Sequence, residues 1–214
     1  MEYDLSARGI RLIFNRDFAR QLRVFLGEPT ARDVMQKAGR RYNEIVLRSP
    51  SIGGKENFLI RNVLVAAFTA AIYQSAGGRI SPEKMGEIFS NAIGQNRVYQ
   101  LFMRAQGKQI FTRQWQDKRN IMARESQKRV YPANFVWEFV YGKTRCEYGI
   151  TYRECAICKL LQRENCFDLI SSMCKFDYVT AKYMHSELIR TKTIGNGDGL
   201  CDFWFKKKQD SSRY

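Results

Sequence analysis

The six cysteines are confined to the C-terminal part of the chain: five lie between Cys146 and Cys174, the sixth is Cys201, and the first 145 residues contain none. Cys174 stands one helical turn before Asp177, and Cys201 is followed directly by Asp202. A thiolate becomes a nucleophile where a cation, a helix terminus or a base lowers its pKa. We therefore predict candidate catalytic residues at Cys174, Asp177, Cys146, Cys201 and Asp202.

The remaining cysteines can be explained as structural residues. Cys155 and Cys158 form a CxxC pair on a predicted helix, and Cys166 follows them. A zinc site needs about four ligands and is usually announced by two such pairs, whereas this chain offers one pair and a single histidine, His185. Free cysteine often behaves as a small buried hydrophobe. We expect no cofactor, with zinc held by cysteines as the alternative.

The net charge of the chain does not identify one class of partner. The 214 residues include 36 Lys and Arg against 21 Asp and Glu, a net charge of +15, which attracts nucleic acid, acidic lipid, acidic protein or a carboxylate substrate alike. The basic helix predicted over 111–129 could bind nucleic acid, but we favour a solvated basic face, because no known nucleic-acid-binding module is present. No segment is long and apolar enough to span a bilayer, and no secretory signal is apparent, so we expect a cytoplasmic protein without membrane contact.

The elements that must position these residues follow from the periodicity of the apolar positions. Residues 1–130 read as a helical region, residues 131–207 as an α+β region, and residues 208–214 as a frayed tail, with the first two forming one compact domain. Thr30 and Asp33 are a plausible N-terminal cap, the stretch 58–75 predicts a buried helix, and Ser81-Pro82 begins a helix that Gly94 ends. Hairpins are predicted over 134–152 and 187–206, flanking a helix pair. The fold class is α+β, with N-terminal helices packed on one antiparallel sheet.

Four short segments resemble one known family. They are Thr144-Arg145-Cys146-x-Tyr148, Cys174-x-x-Asp177, Arg190-Thr191-Lys192-Thr193 and Cys201-Asp202-Phe203. Together with the double glycine at 53–54 and the alanine-rich helix after it, they resemble the L-2-amino-thiazoline-4-carboxylic acid hydrolase family over residues 30–207. The resemblance implies an α+β fold and the hydrolytic opening of a cyclic amidine.

The resemblance also suggests roles for individual residues. Opening the ring requires a nucleophile at the amidine carbon and a proton for the departing nitrogen. Asp177 and Asp202 fit as carboxylates beside the amidine, and Cys174 or Cys146 as the nucleophile, although activated water is an equal alternative. Arg190 fits a bidentate contact to the substrate carboxylate, and Thr193 and Tyr148 complete the expected substrate-binding set.

Two further interpretations stay open at the level of sequence. The last hairpin is similar to that of 4-vinyl reductase type ligand-binding domains, which hold a metal with cysteines on both arms, whereas here the first arm carries Thr193. A non-catalytic small-molecule-binding or sensor domain is therefore the alternative function. A homo-oligomer is also possible, with Phe111, Trp115 and Trp137 as interface candidates.

Overall fold

The computed structural model describes residues 1, 2 and 4–209, and among them it contains eight α-helices and four β-strands. Helices come first, then a hairpin, two helices and a second hairpin, which confirms the predicted α+β class. The helices are α1 (Leu5–Leu26), α2 (Glu28–Arg48), α3 (Ile60–Ala76), α4 (Pro82–Gly94), α5 (Arg97–Gly107), α6 (Arg113–Gln127), α7 (Ala156–Arg163) and α8 (Ile170–Tyr183). The strands are β1 (Val136–Tyr141), β2 (Glu147–Glu154), β3 (Ser186–Ile189) and β4 (Cys201–Lys207).

The chain divides into two compact units, each assembled from three segments. The first unit comprises residues 1–96, 131–134 and 155–174, and the second comprises residues 97–130, 135–154 and the chain from residue 175 on. The division falls inside α8, so Cys174 belongs to the first unit and Asp177 to the second. The domain boundary near residue 130 stays a prediction.

The first unit is built around α3, which is buried on nearly all sides as its apolar sequence predicted. Its Phe68 ring meets Phe18 of α1 edge-on at 5.5 Å and Tyr42 of α2 at 5.2 Å between ring centroids. The Tyr42 hydroxyl donates to the Ala7 carbonyl, which satisfies the one polar atom this core ring carries. No helix in the described part of the chain has the length and hydropathy to cross a membrane.

Sequence signals predicted the ends of α4 but not the start of α2. Ser81 accepts the N–H of Lys84, and α4 runs from Pro82 to Gly94 as predicted. The predicted cap at Thr30 and Asp33 is wrong, because α2 already begins at Glu28. Gly27, at a φ of 77°, turns the chain between α1 and α2, and Pro29 fits the first turn of the new helix, where its missing N–H has no partner to lose.

The second unit contains the four-stranded sheet, in the order β1-β2-β4-β3 with every neighbouring pair antiparallel. Both predicted hairpins are present, and in the second of them β3 already ends at Ile189. The cause is local, because the backbone N–H groups of Thr191 and Lys192 donate to the Asp202 carboxylate. Of the tail predicted to fray, Lys208 donates its N–H to the His185 carbonyl, and residues 210–214 lie outside the described residues.

Two helices of the second unit position its functional residues. On α6, Ser126 and Gln127 donate to the Trp137 carbonyl, which fastens this helix along the edge strand β1. On α5, the Tyr99 hydroxyl lies 2.6 Å from the Thr180 hydroxyl oxygen on the C-terminal half of α8. These contacts hold α6 on the sheet and α5 on α8.

Candidate active site

The sheet of the second unit has one face covered with aromatic rings, which we call the inner face and define by Phe139, Tyr148, Tyr152, Phe203 and Phe205. Alternation along each strand and the observed register bring these rings to the same side. Tyr148 stacks on Phe205 at 5.1 Å and on Phe139 at 5.5 Å, and Tyr152 meets Phe203 edge-on at 5.4 Å between centroids. The inner face is therefore an apolar aromatic layer, and its central ring, Tyr148, is buried.

The structure brings together two predicted site residues, Asp177 and Arg190. A guanidinium nitrogen of Arg190 lies 2.6 Å from an Asp177 carboxylate oxygen, and the guanidinium stands over the rings of Tyr178 at 5.1 Å and Phe203 at 4.9 Å. The Arg190 side chain is 5% exposed, whereas the Asp177 side chain is 40% exposed. A buried cation thus holds a carboxylate that water and small molecules can still reach.

Opposing effects determine the protonation of Asp177. Desolvation raises the pKa of its carboxyl group to about 6, although the charge and hydrogen bond of Arg190 act to lower it. Nearby Tyr99 has a raised pKa, chiefly because it is buried and partly because of the negative charge on Asp177. A carboxyl group with a pKa near neutrality can both accept and release a proton at physiological pH, as general acid–base catalysis requires.

The Asp202 carboxylate stabilises the segment that follows β3. Its carboxylate accepts the backbone N–H of Thr191 at 2.9 Å, the Thr191 hydroxyl at 2.5 Å and the backbone N–H of Lys192 at 2.5 Å. Burial acts to raise its pKa, but these hydrogen bonds outweigh it and lower the pKa below the ordinary value. Asp202 pairs with Thr151 in the register and so points to the face opposite to Phe203. The structure does not bring it together with Asp177.

Thr193 and Cys201, two further predicted site residues, form hydrogen bonds that stabilise the loop between β3 and β4. Thr193 is buried, its hydroxyl accepts the Asn196 N–H, and its own N–H donates to Asp198. Cys201 is buried as well, and its sulfur accepts the N–H of Ile194 at 3.2 Å. The Thr193 hydroxyl and backbone N–H are thus engaged within the loop, and a contact of Thr193 with substrate stays a prediction.

Tyr148 and Cys146, which the motif places close together, serve different purposes. Tyr148 is 2% exposed and is packed among aromatic rings, so it is a core residue and has no surface left for a substrate. Cys146 is exposed in the turn between β1 and β2, where its carbonyl accepts the Lys207 N–H at 2.8 Å. Cys146 thus lies beside the last residue of β4, whereas Cys201 is the first residue of that strand. At roughly 3.3 Å per residue, the two ends of β4 are about 20 Å apart.

The other cysteines lie in the first unit. Cys158 and Cys166 are buried, as expected of small apolar side chains, and burial raises the pKa of the Cys166 thiol. Cys155 and Cys174 are half-buried. The described residues contain no group of three or more His, Cys, Asp or Glu side chains placed to hold a metal ion. The role of Cys174 as a nucleophile stays a prediction.

One cation beside the inner face was not among the predicted site residues. The guanidinium of Arg119 on α6 lies over the Trp115 ring at 4.8 Å, and the same ring contacts Tyr148 at 5.3 Å. The sequence contains the signal, since Trp115 and Arg119 are four residues apart and so share one helix face. Phe111 contacts Tyr148 and Trp137 is buried, so the predicted interface rings pack within the unit itself.

The comparison with known families covers the second half of the helical region and nearly the whole sheet. The sequence model of the L-2-amino-thiazoline-4-carboxylic acid hydrolase family matches residues 61–205, more than half of the 214-residue chain. The chain belongs to this family. The match includes the Asp177–Arg190 pair, Arg119 and every residue predicted for the site. Searches of the curated proteins and of the solved structures returned no match.

Proposed function

We propose that this member of the L-2-amino-thiazoline-4-carboxylic acid hydrolase family is a hydrolase that opens a small cyclic amidine bearing a carboxylate. Asp177 is the proton-transferring residue of the proposed reaction. The observation that carries the proposal is the state of this carboxyl group, which is reachable from solvent, is held by buried Arg190 and has a pKa of about 6. The family match supplies the substrate class.

The reaction needs one water molecule and no change of oxidation state. The substrate carbon to be attacked is bonded to sulfur, to the ring nitrogen and to the exocyclic nitrogen. The substrate reacts as its amidinium cation. The oxygen of water forms a bond to this carbon while the Asp177 carboxylate takes a proton from the water, and the π electrons of the C=N bond move to the ring nitrogen. The remaining bond to the ring nitrogen then breaks, its electron pair stays on nitrogen, and the proton held by Asp177 passes to that nitrogen. The new hydroxyl group loses its proton to solvent as the carbonyl of the ring-opened thiocarbamate forms. Asp177 returns to its ionised state.

Water is the proposed nucleophile because two of the three predicted thiols are poorly suited to attack. Cys146 lies at the far end of the sheet from the start of β4, and Cys201 is buried with its sulfur accepting a backbone N–H. Attack by Cys174 is the sequence-based alternative. It predicts loss of turnover in Cys174→Ser, whereas attack by water predicts that this variant, like Cys146→Ser, stays active.

The proposal is tested with L-2-amino-thiazoline-4-carboxylate and detection of the ring-opened product by mass spectrometry. We expect Asp177→Asn to lower kcat by about 100- to 10,000-fold, the usual contribution of a general acid–base group. Asp33→Asn is the matched control, since Asp33 forms an exposed pair with Lys37 on α2 and should leave kcat unchanged. Thermal melts verify that both variants fold. Full activity of folded Asp177→Asn would contradict the assignment.

A non-catalytic binding domain is the second candidate, and one observation favours it. The Asp177 carboxylate and the Arg190 guanidinium already neutralise each other, which is a stable arrangement that needs no reaction. Binding of the thiazoline carboxylate by the wild-type protein, with no product after prolonged incubation, would replace the hydrolase by this sensor function.

A further inference from the structure

The Arg190 side chain contacts two aromatic rings in addition to the carboxylate of its ion pair. Its guanidinium carbon Cζ lies 5.1 Å from the centroid of the Tyr178 ring and 4.9 Å from that of the Phe203 ring. Because the Arg190 side chain is only 5% exposed, these rings occupy space in which water would otherwise solvate the cation. A cation over an aromatic ring is stabilised more strongly in a desolvated place than at an exposed site.

Tyr178 contacts Arg190 at both ends of that residue. Its ring lies against the guanidinium, and its hydroxyl donates to the Arg190 backbone carbonyl at 3.2 Å. A long arginine side chain loses conformational freedom when it is held in one place, so neighbouring groups that restrict it favour the ion pair. Tyr178 directly follows Asp177 on α8, so the same helix turn supplies the carboxylate and a residue that restrains its cation.

We propose that Tyr178 is a positioning residue, which holds the Arg190 guanidinium against the Asp177 carboxylate through its aromatic ring. The nitrogen–oxygen distance in this pair is 2.6 Å, and charge-assisted hydrogen bonds of this kind weaken when distance or direction changes. Tyr178 does not itself transfer a proton. This role rests on the proposed function only for its effect on turnover, since the ion pair can be measured without substrate.

Tyr178 can be replaced with less disturbance of the fold than Phe203. Tyr178 is 44% exposed, whereas Phe203 also packs on Tyr152 and Phe205 within the inner face. Tyr178→Leu removes the aromatic ring and keeps an apolar side chain, and Tyr178→Phe removes the hydroxyl and keeps the ring. The difference between the two variants therefore reports on the ring, apart from the hydrogen bond to the carbonyl.

The measured quantity is the dependence of the Asp177 pKa on Arg190, obtained by NMR titration of the carboxyl carbon without substrate. The Asp177 carboxyl group faces Arg190, and the Tyr99 hydroxyl on α5 also interacts with it. Burial raises the pKa of Tyr99, so near pH 6 this hydroxyl is neutral and, of these two groups, only Arg190 is charged. Arg190→Met should therefore raise the pKa of Asp177, by about 1–3 pH units for a carboxylate beside an arginine.

The size of this increase should depend on the ring of Tyr178. In a Tyr178→Leu background we expect Arg190→Met to raise the Asp177 pKa by less than about half as much, because the less restrained guanidinium already interacts weakly with the carboxylate. Tyr178→Phe should preserve most of the increase, since the ring remains. An equal increase in the wild-type and Tyr178→Leu backgrounds would overturn the role, and so would an equally reduced increase in Tyr178→Phe.

Tyr131→Leu is the matched control, because Tyr131 is 42% exposed and its ring lies against Gly53. It should leave the increase caused by Arg190→Met at its wild-type size, and thermal melts verify that the variants fold. The pH profile of kcat/KM with L-2-amino-thiazoline-4-carboxylate tests the connection to catalysis, since Arg190→Met should displace the profile less in Tyr178→Leu than in the wild-type protein. If the wild-type protein shows no turnover but the effect of Arg190→Met on the Asp177 pKa still depends on Tyr178, the proposed hydrolysis fails and the positioning role stands.

Discussion

At the scale of single residues, the protonation of Asp177 depends on two neighbours with opposite effects. Partial desolvation favours the neutral acid, Arg190 favours the carboxylate, and the result is a pKa of about 6. Asp202 shows the contrary case, because three hydrogen bonds to its oxygens favour the ionised form. Of the two aspartates, only Asp177 therefore titrates near neutral pH.

The pH dependence of turnover follows from this assignment. Asp177 must be ionised to take the proton of water, so kcat/KM should rise with pH through about 6 and level off above it. Arg190 lowers the pKa, so Arg190→Met should raise it and move this limb of the profile to higher pH. Arg153→Met, which removes an exposed cation paired with Glu138, should leave the limb in place. A limb that stays near pH 6 in Arg190→Met would show that another group titrates.

At the scale of elements, close approach between α4 and α8 depends on a residue without a side chain. A Cβ atom added to Gly86 would lie 2.1 Å from the Ser172 hydroxyl oxygen and 2.4 Å from its Cβ. Sequence signals identified the two ends of α4, but they carried no information on which helix would come so near. The spacing of these two helices is thus a property of their packing.

Two glycine variants in the first unit measure that packing. Gly86→Ala should lower the free energy of unfolding by roughly 1–3 kcal/mol, because the added methyl group overpacks the contact with Ser172. Gly9→Ala, in the interior of α1 with nothing within 4 Å of the added Cβ, should raise it by about 0.5–1 kcal/mol. Urea denaturation provides both values. Equal effects of the two substitutions would mean that α4 and α8 are not in close contact.

At the scale of the whole chain, one ion pair connects residues that are 116 positions apart. Arg48 at the end of α2 binds the Glu164 carboxylate with two nitrogens, and Arg163 lies beside it. The Glu164 side chain is 2% exposed, and its pKa is lowered, because the arginines outweigh the desolvation that would raise it. A lowered pKa means that the native state favours ionised Glu164.

Acid stability should reflect this pair. Its contribution is present above the pKa that glutamate has in the unfolded chain, and it is lost as pH falls through the lower native value. We expect Glu164→Gln to lower the free energy of unfolding by about 1–3 kcal/mol at pH 7 and by less at pH 3. Glu125→Gln removes an exposed pair with Lys128 and should have little effect. A loss for Glu164→Gln that does not change with pH would contradict the role of its charge.

The net charge of +15 is also a property of the whole chain, and the structure shows the partners of several of the positively charged side chains on α6. On α6, Arg113 pairs with Asp117, Lys128 pairs with Glu125, and Arg119 lies on Trp115. These contacts are compatible with a solvated basic face and supply no pattern for reading nucleic acid. Binding of nucleic acid by this helix stays the less favoured prediction.

Local sequence determined much of this protein. The α+β class, both hairpins, the buried helix α3 and the ends of α4 follow from periodicity and capping, which act between residues near in sequence. Asp177 and Arg190 were identified individually from the family motif. Only the tertiary structure decided that these two form an ion pair, that Thr193 and Tyr148 are buried, and that Arg119 stands beside the inner face. The reason is physical: ion pairing, burial and desolvation depend on strand register and helix packing, which join residues far apart in the chain.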